Sequence, residues 1–449
     1  MAFLIGGANS AADTAFSVAN SCRFNDGDSP SMSKTQGTAT NVKIFTVSMW
    51  AKRCTNGADQ HLWETYLTSG AANDRVTIQF MDSNAFRIKA VDGGSTVLQK
   101  ETTRLFRDPS AWYHLCVAVD TTQAVAANRC KIYVNGTQET SFSTDTIWDQ
   151  NVTPEQGTSS YTNIISKYGG GSNYFDGYLA EVVFIDGSQL AASSFGEFDE
   201  DTPTVFKPID VSGLTFGTNG FYLDFEASDN LGNDANGGTD LTEVNLAATD
   251  QATDTPTNNF CTLNGVFGVT NQDLAEGNLK VTNSTTTWNF RPATIGVTAG
   301  KWYAEYKITT TNYHMHGVVD LQYAVAQGVN SYTHLGAGTG SVGYYIDGEK
   351  YIAGTNSSYG NSYGDGEILG IALDMDNAKV YFAIDNTWQD SGDPTSGATG
   401  TGAISLPTTG TYTFAESVRS GGSVEVNFGN PPYANSSDAA DGNGYGAFE

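Results

Sequence analysis

Apolar and polar residues alternate along this chain over short stretches, and glycine, asparagine and aspartate separate the stretches. In the first half this pattern predicts six strands, at 43–53, 74–82, 85–92, 111–122, 131–136 and 177–187. Asp-Gly or Asn-Gly pairs end three of them, at Gly93, Gly136 and Gly187, and such pairs favour tight hairpin turns. Short strands with alternating faces are typical of an antiparallel sandwich.

The second half repeats the pattern, with strands predicted at 300–310, 342–354, 366–386, 411–417 and 423–429. No stretch keeps helical spacing for three turns, and the longest helix-like piece is "QLAASSFGEF". We therefore expect an all-β protein of two tandem antiparallel β-sandwiches. The predicted parts are an N-terminal arm (1–20), a first sandwich (21–200), a connecting region with one strand at 220–226 (201–255), a second sandwich (256–433) and a polar tail (434–449).

Composition narrows the classes of partner. The 49 acidic and 22 basic residues give a formal charge of −27, which repels nucleic acid and anionic membrane surfaces. The N-terminus has neither a basic region nor an apolar run long enough for a signal peptide or a membrane span. The five cysteines are odd in number and widely spaced, so we expect reduced thiols rather than a disulfide framework.

The first half resembles the LamG-like, or concanavalin A-like, jelly rolls. The resemblance lies in "CRFNDGDSPSMS", "FTVSMWAKR", "AWYHLCVAVDTT", "KIYVNGTQ" and "FDGYLAEVVFIDGSQL". The second half resembles the SPRY domain through "GKWYAEYKI", "VGYYIDGEKY", "GDGEILGIALDMDNAKVYFAIDN" and "VEVNFG". Both families fold as two-sheet sandwiches.

The tandem of the two, joined at "DTPTNNFCTLN", is similar to virion proteins of marine tailed phages. That resemblance implies a non-enzymatic tail fibre or receptor-binding component that recognises host surface polysaccharide. It also implies assembly with other virion proteins as a homo-oligomer, with a trimer favoured, and a location in the virion. Two alternatives stay open: a capsid-decorating or head-fibre subunit that makes protein contacts, and a virion-associated polysaccharide depolymerase.

The stretch "YFDGYLAEVVFIDG" is where a catalytic motif of the concanavalin A-like glucanases would be expected. Retaining glucanases of the concanavalin A-like class carry E-x-D-x-x-E on one strand, since the nucleophile and the acid/base must lie close together. Here Glu181 matches the first position, but Val183 replaces the central aspartate and Asp186 the final glutamate. Alternation places Tyr178 and Phe184 on one face of a central strand and Glu181 on the other. We therefore predict no enzymatic activity and no catalytic residues.

A structural calcium ion is the one cofactor that the LamG resemblance implies, although none is required. LamG-like and pentraxin-like sandwiches often hold one ion at a rim, and calcium takes oxygen ligands from loops. The resemblance points to Asp26, Asp28 and Asp176 as candidate ligands.

Sugar recognition favours exposed aromatic rings beside polar groups, because a ring covers the apolar face of a pyranose. By contrast, Trp50, Trp112 and Trp302 lie inside strand patterns and are predicted to be core. The loop aromatics predicted to bind a glycan are Trp63, Trp148, Tyr168, Tyr174, Tyr345 and Tyr363.

Overall fold

The computed structural model describes residues 4–5, 16–67, 74–154, 161–267, 269–327, 333–436, 439–440 and 446–449. The chain forms two compact units, an N-terminal unit, Ala11–Asn259, and a C-terminal unit, Phe260–Glu449 with Met1–Ser10. Regular structure is almost entirely β, which confirms the predicted fold class. Within the described ranges the one α-helix is Leu321–Gln327, and the 3-10 turns are Asp26–Asp28, Ala126–Asn128, Ala192–Ser194, Ala248–Asp250, Gln389–Ser391 and Gly397–Thr399.

Two eight-stranded sheets build the N-terminal unit. Sheet A has the order Thr137–Gln138, Cys130–Val134, Trp112–Asp120, Ile44–Arg53, Gly177–Asp186, Ser21–Phe24 and Gln251–Ala252, with Phe221–Leu223 also paired to Gly177–Asp186. Sheet B has the order Phe142–Thr146, Ser95–Leu105, Ala85–Asp92, Arg75–Phe80, Gln60–Leu67, Tyr161–Ile165, Ser31–Thr35 and Thr242–Val244. A separate hairpin pairs Gly196–Phe198 with Phe206–Pro208.

The core of this unit lies between the two sheets, where alternate side chains of each strand meet. The Trp63 ring of sheet B packs against Phe45 and Phe184 of sheet A, with centroids 6.0 and 5.6 Å apart. A second apolar cluster on the opposite face of sheet A contains Trp50 and Phe206. Sheet A is therefore buried on both faces.

The central strand Gly177–Asp186 carries a β-bulge. All ten of its residues are buried. The register with Ile44–Arg53 shifts between Ala180 and Val183, and Glu181 takes a left-handed φ of 49°. Because the bulge interrupts alternation, Val182 joins Phe184 in the inter-sheet core, whereas Ala180 packs in the outer cluster. The strand is central, as predicted, but the prediction that Tyr178 and Phe184 share one face is wrong, since Tyr178 packs in the outer cluster and Phe184 in the inter-sheet core.

The segment predicted as a connecting region, 201–255, takes part in the N-terminal unit. It supplies Phe206–Pro208, Phe221–Leu223, Thr242–Val244 and Gln251–Ala252, so both sheets contain strands from it. Its Gly-, Asn- and Asp-rich composition belongs to the turns between these short strands, which contain two to three residues each. Of the predicted N-terminal arm, Val18 is buried on the outer face of sheet A.

Two further sheets build the C-terminal unit. Sheet C has the order Asp273–Ala275, Lys280–Asn283, Gly422–Asn427, Lys301–Thr310, Ile368–Asp374, Lys379–Ile384 and Thr387–Trp388, with Ile404–Ser405 paired to Lys379–Ile384. Sheet D has the order Arg291–Pro292, Tyr412–Arg419, Tyr313–Asp320, Ser341–Tyr345, Glu349–Ile352 and Thr355–Ser358. Leu4–Ile5 pairs in parallel with Ile295–Gly296, and Ala439–Ala440 pairs with Ala447–Phe448.

The C-terminal core also lies between sheets, with Tyr306 and Ile371 of sheet C and Val318 of sheet D buried in one cluster. Trp302 is 38% exposed, so its prediction as core is wrong; it stands one residue from the start of its strand, at the edge of the core. Trp50 and Trp112 are buried, as predicted. At the end of the predicted polar tail, Phe448 is buried against the Tyr303 ring.

All five cysteines are free thiols, as predicted. Burial raises the pKa of the Cys130 thiol to about 12, and it raises the pKa values of Cys22, Cys54 and Cys116 as well. These four thiols are therefore protonated and unreactive at neutral pH. Among the residues that the structure describes, no helix has both the length and the apolar character to cross a membrane.

Glu181 in the N-terminal unit and Glu416 in the C-terminal unit are buried carboxyls whose pKa is strongly raised, so they link stability to pH. Tyr222 Oη donates to Glu181 Oε2 at 2.7 Å in the N-terminal unit. Burial nevertheless raises the pKa of Glu181 to about 8. In the C-terminal unit, burial likewise raises the pKa of Glu416 to about 8, although nearby Arg291 acts to lower it. Since both pKa values are raised in the folded state, their stabilisation is complete below about pH 4.5 and is lost as the pH rises through about 8.

Replacement of Glu181 by Gln should flatten the pH dependence of the N-terminal unit alone. In the wild-type protein each raised carboxyl lowers the free energy of unfolding by up to about 1.4 kcal/mol per pH unit in this window. Pulse proteolysis in urea, with fragments identified by mass spectrometry, measures each unit separately. Glu416→Gln is the matched control and should flatten the pH dependence of unfolding in the C-terminal unit only. If the unfolding free energy of the N-terminal unit depended on pH in Glu181→Gln as steeply as in the wild type, Glu181 would not be the titrating group.

Candidate ligand-binding groove

A polar groove of about 350 Å³ opens in the N-terminal unit beside the strand Ser31–Thr35. It brings together three chain segments that are far apart in sequence. Its walls carry hydroxyl, amide, carboxylate and ammonium groups and no aromatic ring. The lining residues are Ser33, Lys34, Thr35, Gly37, Thr218, Asn219, Thr239, Asp240 and Thr242.

Asp186, at the end of the central strand, positions one wall of this groove. Its Oδ2 accepts the backbone N–H groups of Thr40 at 2.8 Å and Asn219 at 3.1 Å. The Asn219 side chain then bonds to the backbone of Gly37, accepting its N–H at 2.7 Å and donating to its carbonyl at 3.2 Å. Gly217 adjoins this wall, and a Cβ there would lie 2.0 Å from the Asp186 carbonyl oxygen. The wall is therefore fixed by one buried carboxylate.

A buried ion pair forms the floor. Lys34 Nζ lies 3.1 Å from Asp234 Oδ2, and the Asp234 side chain is fully buried. Asp234 Oδ1 also accepts the backbone N–H groups of Tyr222 at 3.0 Å and Asn236 at 3.2 Å. Because Asp234 neutralises Lys34, the floor adds hydrogen-bonding capacity without net charge.

Asp240 is the exposed carboxylate of the groove. Its Oδ1 accepts the backbone N–H of Asp234 at 3.1 Å, and its Oδ2 accepts Asn230 Nδ2 at 2.9 Å. These hydrogen bonds lower the pKa of the Asp240 carboxyl below its usual range. Each oxygen keeps a further lone pair, so the ionised group is able to accept hydrogen bonds from a bound molecule.

Three of the predicted sugar-binding aromatics are wrong because they are core residues. Trp63 and Trp148 are 0% and 3% exposed and belong to the inter-sheet core of the N-terminal unit. Trp63 lies on the strand Gln60–Leu67 and not on a loop; His61 and Glu64 within this strand are buried polar residues, which obscure its pattern in the sequence. Tyr363 is 5% exposed, and its Oη donates to the Tyr344 carbonyl at 2.9 Å. None of these rings is open to a pyranose.

The other three predicted aromatics are partly exposed. Tyr168 packs edge-on against His61 and Tyr66, and Arg75 lies 5.2 Å from its ring centroid. Tyr174 lies just before the central strand, and Tyr345 lies on sheet D of the C-terminal unit. None of the three lines the groove. Sugar binding by these rings stays a prediction.

The predicted calcium ligands share one rim of the N-terminal unit without forming a ligand set. The pairing of Gly177 with Phe24 brings Asp176 close to the turn Asp26–Asp28. Asp28 accepts a hydrogen bond from Asn25, and Asp176 accepts one from Thr55. No group of three or more His, Cys, Asp or Glu side chains suited to a metal occurs in the part of the chain that the structure describes. Calcium at this rim stays a prediction that requires further oxygen ligands.

Sequence reasoning missed the groove, because its residues come from a sheet edge and from the segment interpreted as a connecting region. Glu181, the residue that matches the glucanase pattern, is 6% exposed beneath Tyr222. Asp186 ends the central strand and is followed by a bend instead of the predicted tight turn, and its role in holding Asn219 depends on a contact across 33 residues. A local sequence pattern does not predict such a long-range contact.

Comparison with known proteins supports the first of the two family resemblances. Residues 26–192 match the family model described as the concanavalin A-like lectin/glucanases superfamily. No curated protein matches the chain.

The solved structures with similarity to the chain include the SPRY domain of human HERC1, with 16% identity and a TM-score of 0.26, over 33% of this chain and 87% of that chain. They also include the TRIM65 PSpry domain, with 14% identity and a TM-score of 0.30, over 37% of this chain and 89% of that chain. A heptameric SAP-like pentraxin from Limulus polyphemus has 14% identity and a TM-score of 0.29, over 39% of this chain and 80% of that chain. Residues 26–192, which include the groove strand Ser31–Thr35, are thus similar to the concanavalin A-like lectins and glucanases.

Proposed function

We propose that this protein is a non-enzymatic glycan-binding protein and that the groove of its N-terminal unit receives one sugar residue. The observation that carries the proposal is the ionised Asp240 carboxylate at the rim of a groove otherwise lined by hydroxyl, amide and ammonium groups. Sugars offer many hydroxyl donors, and a carboxylate with free lone pairs accepts them in charge-assisted hydrogen bonds.

The size and rigidity of the groove also support a sugar ligand. Its volume of about 350 Å³ lies at the lower end of the range for small-molecule sites, about 300–1,000 Å³. Asp186 and the Lys34–Asp234 pair hold the walls in place before a ligand arrives. Because the lining contains no aromatic ring, we expect a weak single site, and several copies on one assembly would strengthen attachment.

Binding without cleavage fits the placement of the carboxylates. A glycosidase needs two carboxyl groups facing one bond, and one of them must be protonated to act as the acid. The carboxyls of this unit whose pKa is raised are Asp26, Glu181 and Asp250. None of them lines the groove, and Glu181 is buried and bonded to Tyr222. The exposed Asp240 has a lowered pKa, which suits an acceptor of hydrogen bonds and not a general acid.

We also propose that the protein is a virion component of a tailed phage, as a tail fibre or receptor-binding subunit that contacts host surface polysaccharide. The support is the sequence resemblance of the tandem LamG-like and SPRY-like halves. A homo-oligomer, with a trimer favoured, would present several grooves at once and raise the avidity of a weak site. The formal net charge of −27 favours neutral over anionic polysaccharides as ligands.

Replacement of Asp240 by Asn should weaken glycan binding at least tenfold, because it removes the charge from an acceptor of sugar hydroxyls. The measurement is a glycan array with the wild-type protein, followed by calorimetry with the best neutral oligosaccharide. Asp210→Asn is the matched control, since Asp210 is also exposed and also accepts a backbone N–H, from Ser212, outside the groove. Equal losses in both variants, or no loss in Asp240→Asn, would contradict the assignment of the groove.

Antibodies against the chain should label the tail of purified virions in electron micrographs, at a copy number that is a multiple of the oligomer. Labelling of the capsid instead would support the capsid-decorating alternative. Release of reducing sugar ends from host polysaccharide would support the depolymerase alternative. Virions without label would contradict the virion proposal and leave the glycan measurement unaffected.

A further inference from the structure

Four aromatic rings of the C-terminal unit form a closed circuit, here called the aromatic quartet: Trp288, His334, Tyr345 and Tyr351. Tyr345 and Tyr351 lie on neighbouring strands of sheet D and point to the same face, since Tyr351 pairs with Gly343, two residues before Tyr345. Trp288 and His334 reach this face from chain segments outside the sheet strands.

Each ring of the quartet meets the next edge-on. Going round the circuit, the centroid distances are 6.2 Å for Trp288–Tyr345, 5.8 Å for Tyr345–Tyr351, 5.3 Å for Tyr351–His334 and 5.7 Å for His334–Trp288. The corresponding interplanar angles are 66°, 76°, 86° and 62°. The rings therefore face different directions, as the walls of a cage do, and do not form one flat platform.

The quartet is partly exposed and firmly supported. All four rings are intermediate in exposure. Beneath them lies a separate apolar cluster of the C-terminal unit that includes Met315, Leu335 and Phe290. His334 is oriented by a hydrogen bond from its Nδ1 to the Leu335 carbonyl at 2.7 Å. The rings are thus held in place by packing and are reachable from solvent.

Charges of both signs lie around the quartet. The Arg419 guanidinium lies 4.7 Å from the Trp288 centroid and 4.0 Å from that of Tyr313, so Trp288 already accepts one cation from the chain itself. The tyrosines feel acidic groups as well: after burial, Asp347 is the next cause that raises the pKa of Tyr345, ahead of the lowering effect of Arg419, and Glu349 is the next cause that raises the pKa of Tyr351. The chain as a whole carries −27.

We propose that the aromatic quartet binds an alkylated ammonium group, of the kind found in choline or in a methylated lysine side chain. Such a group is large, weakly hydrated and positively charged, so it gains from the negative faces of several rings at once. A pyranose gains most from one open ring face, which edge-on neighbours do not offer. This site is independent of the polar groove and of the glycan proposal.

The test uses the full-length protein and saturation-transfer NMR on the methyl protons of choline. Choline should bind, and its neutral isostere 3,3-dimethylbutan-1-ol should bind at least fivefold more weakly, because only the charge differs. Tyr351→Leu should weaken choline binding at least fivefold, whereas Tyr351→Phe, which keeps the ring, should stay within twofold of wild type. Trp302→Leu is the control, since it removes a more exposed ring elsewhere in the same unit. The same measurement with trimethyl-lysine distinguishes the two sources of the ammonium group. Tighter binding of trimethyl-lysine than of choline would indicate a methylated lysine side chain, and tighter binding of choline would indicate a small molecule.

Three results would overturn the proposal. Equal affinity for choline and the isostere would mean that the rings act only as an apolar surface. Undiminished choline binding by Tyr351→Leu, with Trp288→Leu as the second variant, would place the ligand elsewhere. No saturation-transfer signal from choline at any concentration tested would mean that the quartet is a packed cluster without a cation site. The thermal unfolding of each variant, measured alongside, identifies any loss of folding.

Discussion

The Asp186 carboxylate is the interaction on which the proposed binding site depends. It is buried at the end of the central strand of sheet A and accepts backbone N–H groups from Thr40 and Asn219. Each of these hydrogen bonds joins the end of the central strand to another chain segment, and Asn219 is 33 residues and Thr40 146 residues away in sequence. Asn219 then fixes Gly37, so one carboxylate shapes a whole wall of the groove.

The same strand explains why the N-terminal unit is rigid enough to carry such a site. Its ten residues are buried between two apolar clusters, one between the sheets and one on the outer face of sheet A. The bulge at Glu181 directs a carboxyl into the outer cluster, where it remains bonded to Tyr222. Glu181 matches the glucanase pattern in sequence, but in the structure it is a buried acid bonded to Tyr222. A glycosidase nucleophile must instead face the substrate.

Sequence patterns predicted the fold class and several central strands, but they missed strands such as Gln60–Leu67 and Ser95–Leu105 and did not predict the binding surfaces. The strand predicted at 43–53 is Ile44–Arg53, because alternation and turn residues are local signals. Alternation gives the face of a residue but not its depth, so Trp302 was expected in the core although its strand begins outside it. Trp63 and Trp148 were expected on loops although they fill the core, and the groove combines residues about 180 positions apart. Depth and long-range contacts are set by packing, which no short pattern records.

The two candidate sites suit different ligands: a polar groove that accepts hydroxyl donors and a set of edge-on rings that suits a cation. A crystal structure of the full-length protein with the oligosaccharide that it binds best tests sugar binding in the groove most directly. We expect sugar density in the groove, with a hydroxyl within hydrogen-bonding distance of Asp240. Density confined to the Tyr168 cluster, the aromatic quartet or any other surface would contradict it.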